Sequence, residues 1–294
     1  MRLGLVVNPT SGKNTGRRIG LEALTLLRAA GVDVVDLSAA DAAGALARGR
    51  AAVADRAVDA VVVAGGDGMV HLGTNLCAGT ELPLGIIAAG TGNDIARELG
   101  LPVRDAAKSV ERILEGRTRP VDAARTLSPT GEERWFVGVL AAGFDAVVNE
   151  RANQWRWPKG PMRYNLAILR ELPVFRPIPY VLTLDGERME TEAMLVAVGN
   201  GPAYGGGMKV TPDAAFDDGL LDVLVLHRLP VPEFLRVFPK VFSGGHTSHP
   251  AVEIVRARTV GLEARGIVSY ADGERFAPLP VGLEVVPGAL SVLA

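Results

Sequence analysis

The run 61–68, VVVAGGDG, constrains this chain more than any other stretch. Three valines and an alanine in a row offer no polar face, so a strand made of them must be covered on both sides. That is the condition of a parallel sheet packed between helices. Gly65 and Gly66 then open the strand into a loop whose backbone N–H groups no side chain obstructs. Open sheets of this kind place their ligands in the crevice beyond the carboxyl ends of the strands. The chemistry of the chain is therefore expected at this loop.

The same texture repeats through the first hundred residues. Strands are expected at 3–7, 32–37, 61–65 and 84–89, and helices at 15–30, 42–57, 69–78, 95–99 and 105–115. Alternating strands and helices specify an α/β domain with a parallel sheet. From about residue 122 the apolar runs become short and alternating: 134–141, 180–184, 193–198, 220–226, 252–257 and 266–270. Asp185-Gly186, Asp218-Gly219 and Asp272-Gly273 separate several of them, which suits an antiparallel sheet or sandwich. Helices are expected at 159–172 and 232–243. The length of 294 residues, 48% of them apolar, accommodates two domains, here a nucleotide-binding α/β domain at 1–122 and a β-sandwich-rich domain at 123–285.

Composition excludes several classes. A net charge of -2 supplies no general basic surface, so nucleic acid is not expected as a partner. Cys77 is the one cysteine; it forms no internal disulfide, suits a reducing cytoplasm, and reads as a buried apolar residue. The apolar run at 3–7 is shorter than the roughly 7 to 15 residues of a signal region. No uncharged apolar stretch approaches the ~18 residues of a membrane span.

Three loops follow strands in the first domain: NPTSGK at 8–13, GGDG at 65–68 and GTGND at 90–94. Any one of them reads equally as a tight turn, and NPTSGK lacks the spacing of a P-loop. Three at one end of a sheet form a cradle for a phosphate chain. Asp67 indicates the reaction. An aspartate between glycines repels a bare phosphate and meets it instead through Mg²⁺, which points to phosphoryl transfer rather than hydride transfer.

AGGDG at 64–68, PLGIIAAGTGNDIARELGLP at 83–102, NPTSGK, GFDA at 143–146, GNGPAYGGGMKVTPDAAFDDGLLDV at 199–223 and ADGE at 271–274 together resemble the diacylglycerol-kinase catalytic family. That family comprises lipid kinases, among them bacterial diacylglycerol kinases, sphingosine kinases and ceramide kinases. GGDG alone is shared with NAD kinases and phosphofructokinases. The resemblance implies ATP and Mg²⁺ as cofactors, with Asn8, Ser11, Gly12 and Lys13 lining the phosphates and Gly65, Gly66, Asp67 and Gly68 holding ATP and its Mg²⁺. It adds Thr91, Asn93 and, at the nucleoside, Ser38. Asp217 would face the active site; Asp218, with the carbonyls of Ala215 and Leu220, would hold a structural Mg²⁺. Asp272 and Glu274 are the candidates for the general base, with Glu274 preferred. Residues 286–294 would return to the first domain.

Two departures stand out. Met69 replaces the usual threonine after GGDG, and His71 and Leu72 replace an asparagine–glutamate pair. His71 is expected to pack or cap locally. A membrane-facing region is sought at 150–176, where Arg151, Arg156, Lys159, Arg163, Arg170 and Arg176 accompany Trp155 and Trp157 against Glu150 and Glu171. Basic residues beside tryptophan suit an anionic headgroup interface. Tyr164, Leu166, Ile168 and Leu169 suit packing against the sandwich equally. The resemblance implies phosphorylation of a lipid hydroxyl, diacylglycerol to phosphatidic acid first, at a peripheral membrane surface and with a homodimer possible. The alternatives are a sphingoid base, ceramide or NAD as acceptor, or nucleotide binding without catalysis.

Overall fold

The structure, a computed structural model, describes residues 1–8, 15–127, 133–144, 146–148, 151, 155, 166–167, 170–171 and 176–294. β1 (Arg2–Val7), β2 (Asp33–Asp36), β3 (Ala60–Gly65) and β4 (Leu84–Ala88) pair in parallel in the order β2-β1-β3-β4. β3 is buried along its whole length, as its apolar sequence requires. Its alternate residues enter two cores. Val62 and Ala64 meet Ile19 and Leu27 of α1 (Thr15–Ala29) and Val110 and Ile113 of α5 (Ala106–Glu115). Val61 and Val63 meet Ala45 and Ala52 of α2 (Ala42–Ala54) and Leu72 and Leu76 of α3 (Asp67–Cys77). Cys77 is fully buried and burial pushes its thiol up to about 12, so it packs as an apolar group.

An antiparallel ribbon of β5 (Thr118–Leu127) and β15 (Val281–Leu293) joins this lobe to the next. Val121, Leu290 and Val292 enter a core of the first lobe, whereas Ala124, Leu283 and Val285 enter the second. Residue 122 lies within β5, at the crossing. The Asp122 side chain accepts from Gly219 N and Gly288 N, both at 2.7 Å. β15 ends beside β4 with Val292 opposite Leu84, which extends the parallel sheet.

The second lobe is antiparallel and β-sandwich-like. It comprises β6 (Trp135–Phe136), β7 (Val139–Gly143), β8 (Ile178–Leu184), β9 (Glu187–Gly199), β10 (Leu221–His227), β11 (Val252–Ala257), β12 (Thr259–Glu263), β13 (Val268–Ala271) and β14 (Glu274–Pro278). The path runs β14-β13-β7-β9-β8-β12-β15, and β9 also pairs with β10, which pairs with β11. Asp185-Gly186 and Asp272-Gly273 turn two hairpins with positive φ at both residues (48° and 92°, 53° and 86°), the geometry that suits Asp-Gly.

Some elements differ from expectation. The strand expected at 134–141 divides into β6 and β7, because Val137 N and Gly138 N turn aside to the Asp272 carboxylate. The helix expected at 232–243 is α6 (Val231–Val237) followed by 3-10 turns over Phe238–Ser243 and Gly245–Ser248. Pro239 has no N–H with which to continue the α ladder. Of the helix expected at 159–172, only 166–167 and 170–171 are among the described residues. Among the described residues no helix is long and apolar enough to cross a membrane.

Candidate active site

The first wall of the site is the start of α3. Gly66 caps the helix in an extended conformation, and Met69 N and Val70 N both return to Gly66 O at 2.9 and 3.2 Å. The N–H groups of Asp67 and Gly68 are left at the positive end of the helix, ready for an anion. Met69 is 8% exposed and packs into the core beneath the loop. Anion binding at this turn therefore belongs to the backbone. The GTGND loop lies directly against GGDG: a Cβ added at Gly90 would collide with Gly66 Cα. Arg104 steadies this contact by donating from Nε and a terminal nitrogen to Gly90 O at 3.2 and 3.0 Å.

Asp67 faces the second loop. It accepts from Asn93 N at 2.8 Å and Ile95 N at 3.2 Å, the start of α4 (Asp94–Glu98). Burial raises its carboxyl above the ordinary range, the charges of Asp94 and Asp272 add to the rise, and the two backbone bonds oppose it. A crowded, under-neutralised carboxylate of this kind suits a divalent cation, so the residues fit Mg²⁺ here. Asn93 turns its side chain inward to Gly90 N and O at 2.7 and 3.0 Å, so it shapes the loop. Thr91 is exposed on the same loop. Asp94 receives Arg97 at 2.5 Å and Gly206 N at 2.6 Å, which ties the loop to the glycine turn of the second lobe.

The opposite wall is the β13–β14 hairpin. Glu274 is exposed and faces Gly68 so closely that a Cβ on that glycine would strike Glu274 Oε1. Asp272 is the reverse case. Its side chain is 0% exposed and accepts from Gly138 N at 2.8 Å, Val137 N at 3.3 Å and His71 Nδ1, 3.0 Å away. Between the walls lies a cleft of about 440 Å³, lined by Asn8, Arg50, Gly66, Gly68, His71, Arg134, Glu274 and Arg275 among others. His71, read from sequence as a packing residue, thus belongs to the site. The available signal was its spacing: it follows Asp67 by one helical turn and shares its face of α3.

Other expected residues stand elsewhere. Ser11, Gly12 and Lys13 lie outside the described residues. Ser38 accepts from Val7 N at 3.0 Å and lines a separate depression beside α1. Asp217 is exposed and does not line the cleft. Asp218 accepts from Leu220 N at 3.1 Å and pairs with Arg256 at 2.8 Å, which also pairs with the buried Asp222 at 2.8 Å. Among the described residues no cluster of His, Cys, Asp or Glu is grouped to hold a metal. In the basic region, Arg151 pairs with Glu171 at 2.6 Å and Arg170 lies over the Trp155 ring at 6.0 Å. Glu150, Arg156, Trp157, Lys159 and Arg163 fall outside the described residues, as do Tyr164, Ile168 and Leu169.

Two family models match: the diacylglycerol kinase catalytic domain over residues 2–126, and the YegS C-terminal NAD kinase beta sandwich-like domain over 138–294. The diacylglycerol kinase of Mycobacterium tuberculosis (strain ATCC 25618 / H37Rv) is 44% identical over 98% of this chain and 93% of its own. That of Bacillus subtilis (strain 168) is 27% identical over 95% and 91%. A crystal structure of a diacylglycerol kinase from Bacillus anthracis superposes with a TM-score of 0.75 at 27% identity, covering 99% of this chain and 96% of that one. An NAD kinase from Archaeoglobus fulgidus, solved in complex with ATP, shares the fold at a TM-score of 0.52 and 13% identity, over 99% and 92% of the two chains. Fold and matches define a lipid kinase, a phosphotransferase with an alcohol acceptor. The chain belongs to the diacylglycerol-kinase catalytic-domain family.

Proposed function

We propose that this enzyme transfers the γ-phosphoryl group of ATP, bound with Mg²⁺, to the hydroxyl of diacylglycerol, giving phosphatidic acid. The observation that carries the reading is the approach of Glu274 to Gly68 across the cleft, a carboxylate facing a helix N-terminus. The helix end and the glycine loops bind phosphate; the carboxylate engages the acceptor hydroxyl. Phosphoryl transfer requires both at one point, together with charge neutralisation on the phosphoryl oxygens.

The roles divide among the residues accordingly. The N–H groups of Asp67 and Gly68, with Asn8, Ser11, Gly12 and Lys13, would hold the phosphate chain. Mg²⁺ would be held at Asp67 and supplies charge neutralisation on the phosphate oxygens. Asn93 and Gly90 keep the second loop against the first, with Thr91 at its tip. Glu274, rather than the buried Asp272, is the carboxylate that can touch a substrate. A second, structural cation at Ala215, Asp218 and Leu220 has less support, since Arg256 already neutralises Asp218. The two lobes are taken to divide at residue 122, with 286–294 completing the first.

Diacylglycerol is favoured as acceptor by the names of the relatives at 44% and 27% identity. The apolar cavity between the sandwich and α6, lined by Phe144, Leu224 and Phe234 among others, measures about 80 Å³. An apolar cavity of ~150 Å³ holds one benzene, so this one takes no acyl chain unless α6 shifts. Our reading is that the lipid is presented from a bilayer surface. Exposed Leu235 and Phe242 stand close in sequence to Phe234 and Phe238, which pack in the cluster that Trp155 joins, and support docking at that corner. Co-sedimentation with anionic vesicles should weaken in the Trp155→Ala, Trp157→Ala, Lys159→Ala variant. The acceptor is tested by incubating the protein with ATP and Mg²⁺ and, separately, diacylglycerol, a sphingoid base, ceramide and NAD. Phosphatidic acid is the expected product; NADP or a phosphorylated sphingolipid as the main product would refute the assignment.

A further inference from the structure

Gly68, His71 and Asn75 stand three and four residues apart on α3 and so share one face of the helix. Each meets the second lobe. A Cβ on Gly68 would strike Glu274 Oε1, His71 Nδ1 lies 3.0 Å from Asp272, and Asn75 joins Trp135 of β6. The third contact has two prongs: the Asn75 amide donates from Nδ2 to Trp135 O at 2.8 Å and accepts at Oδ1 from Trp135 N at 2.9 Å. It pairs with the main chain of β6 as a neighbouring strand would. Nδ2 also donates to His71 O at 2.9 Å, so both amide hydrogens are engaged and neither is left for a ligand, although Asn75 lines the cleft. An amide turned over would set Oδ1 against two carbonyl oxygens and Nδ2 against an N–H, so the pairing also fixes its orientation.

Asn75 grips the segment that seats the acceptor wall. On one side of Trp135, Arg134 donates to Phe276 O of β14. On the other, Val137 N and Gly138 N donate to Asp272 at 3.3 and 2.8 Å. Phe136 meets the Phe276 ring edge to face, 5.7 Å between centroids. The hairpin is thus held by β6 at Asp272 and at Phe276, and Glu274 lies between those two points. The buried Trp135 ring packs with Ala123 and Ala289 of the ribbon and with Ala78 at the end of α3. One helix therefore carries both halves of the reaction. Its N-terminus faces the phosphates, and Asn75, about 10 Å further along, holds the wall that brings Glu274.

We infer that Asn75 is a positioning residue for phosphoryl transfer, acting through the main chain of β6 to hold Glu274 opposite Gly68. The inference rests on the lipid-kinase reading above, with Glu274 as the carboxylate that engages the acceptor hydroxyl. Asn75 itself touches neither nucleotide nor lipid. Its influence is geometric: a displacement of about 1 Å at the reacting atoms costs ~10²-fold in rate. The glycine loops that face the nucleotide belong to the first lobe, so the affinity for ATP does not follow the seam.

The test is a double-mutant cycle on the full chain, read as kcat and KM with ATP, Mg²⁺ and diacylglycerol in mixed micelles, below the melting temperature of each protein. Asn75→Asp keeps the size of the side chain and the acceptor for Trp135 N, but turns a carboxylate oxygen toward Trp135 O and His71 O. It should lower kcat by ~10- to 10²-fold and leave the KM for ATP within about twofold of wild type. In the Glu274→Gln background, which has no carboxylate left to position, the same substitution should cost about twofold or less. Asn75→Ser, smaller and uncharged, carries the same comparison should Asn75→Asp not fold. Wild-type kcat in the single variant, or equal losses in both backgrounds, would overturn the inference. So would a raised KM for ATP at unchanged kcat, which would make Asn75 a nucleotide-binding residue instead. A wild type that phosphorylates no lipid would overturn the kinase reading and this inference with it.

Discussion

Asp67 holds a partly buried carboxylate in balance: two backbone N–H groups, donating at 2.8 and 3.2 Å, are set against burial and the charges of Asp94 and Asp272. Because its folded pKa lies above the unfolded value, its contribution to stability is complete below that unfolded value, near 3.8, and is lost as pH rises through the raised value. In nucleotide-free protein, wild type is therefore expected to lose stability between pH 4 and pH 7 relative to Asp67→Asn, whose amide does not titrate and accepts from only one of the two N–H groups. Thermal scans across that range check it, and parallel pH profiles for the two proteins would contradict it. Asp67 was legible in the sequence because glycines flank it. Asp272 was legible as a motif residue only; its burial depends on donors from residues 137 and 138, more than a hundred positions away, which no local pattern encodes. Asn200, which donates to Asp122 O and Val137 O at 2.8 Å, was missed for the same reason.

At the scale of elements, the two glycine loops meet backbone to backbone. Gly90→Ala would push a methyl group into Gly66 Cα, and main chain cannot swing aside as a flexible side chain can. A loss of about 1–3 kcal/mol in stability is expected, with weaker nucleotide binding, readable by chemical denaturation and ATP titration. The turn before β10 has its own charge device, in which Arg256 spans Asp218 and the buried Asp222. Burial raises the Asp222 carboxyl and Arg256 opposes the rise. Arg256→Gln should lower stability and make the melting temperature rise with Mg²⁺ in the absence of ATP. A wild type whose melting temperature already rises with Mg²⁺, and an Asp218→Ala variant in which that rise is lost, would restore the cation to Asp218. The parallel strands and their helices were readable because each is encoded by its own run of residues. β9 was read only at 193–198 because its first half, Glu187–Glu192, is largely exposed and polar and owes its strand to pairing with β8. The division of β6 from β7 likewise follows from a tertiary contact.

Across the whole molecule, the carboxyl ends of β1 and β3 face the hairpin of the second lobe. Among the described residues, the contacts that close the interval between the lobes include Gly68 with Glu274, His71 with Asp272, Asn75 with Trp135, and Asp94 with Gly206. The long β5–β15 ribbon crosses from one core to the other and holds the lobes in register. The same fold occurs in a chain named as an NAD kinase, so the scaffold alone does not choose the acceptor; the residues of the cleft must. The central claim is that this cleft transfers phosphate from ATP to a lipid. Its most direct test is the transfer of ³²P from labelled ATP to diacylglycerol by wild type and by Glu274→Gln, with matched melting temperatures. Labelled phosphatidic acid from wild type, falling by ~10²-fold or more in the variant, is the predicted result. Equal labelling by both proteins would contradict the site, and labelled NADP in place of lipid would contradict the function.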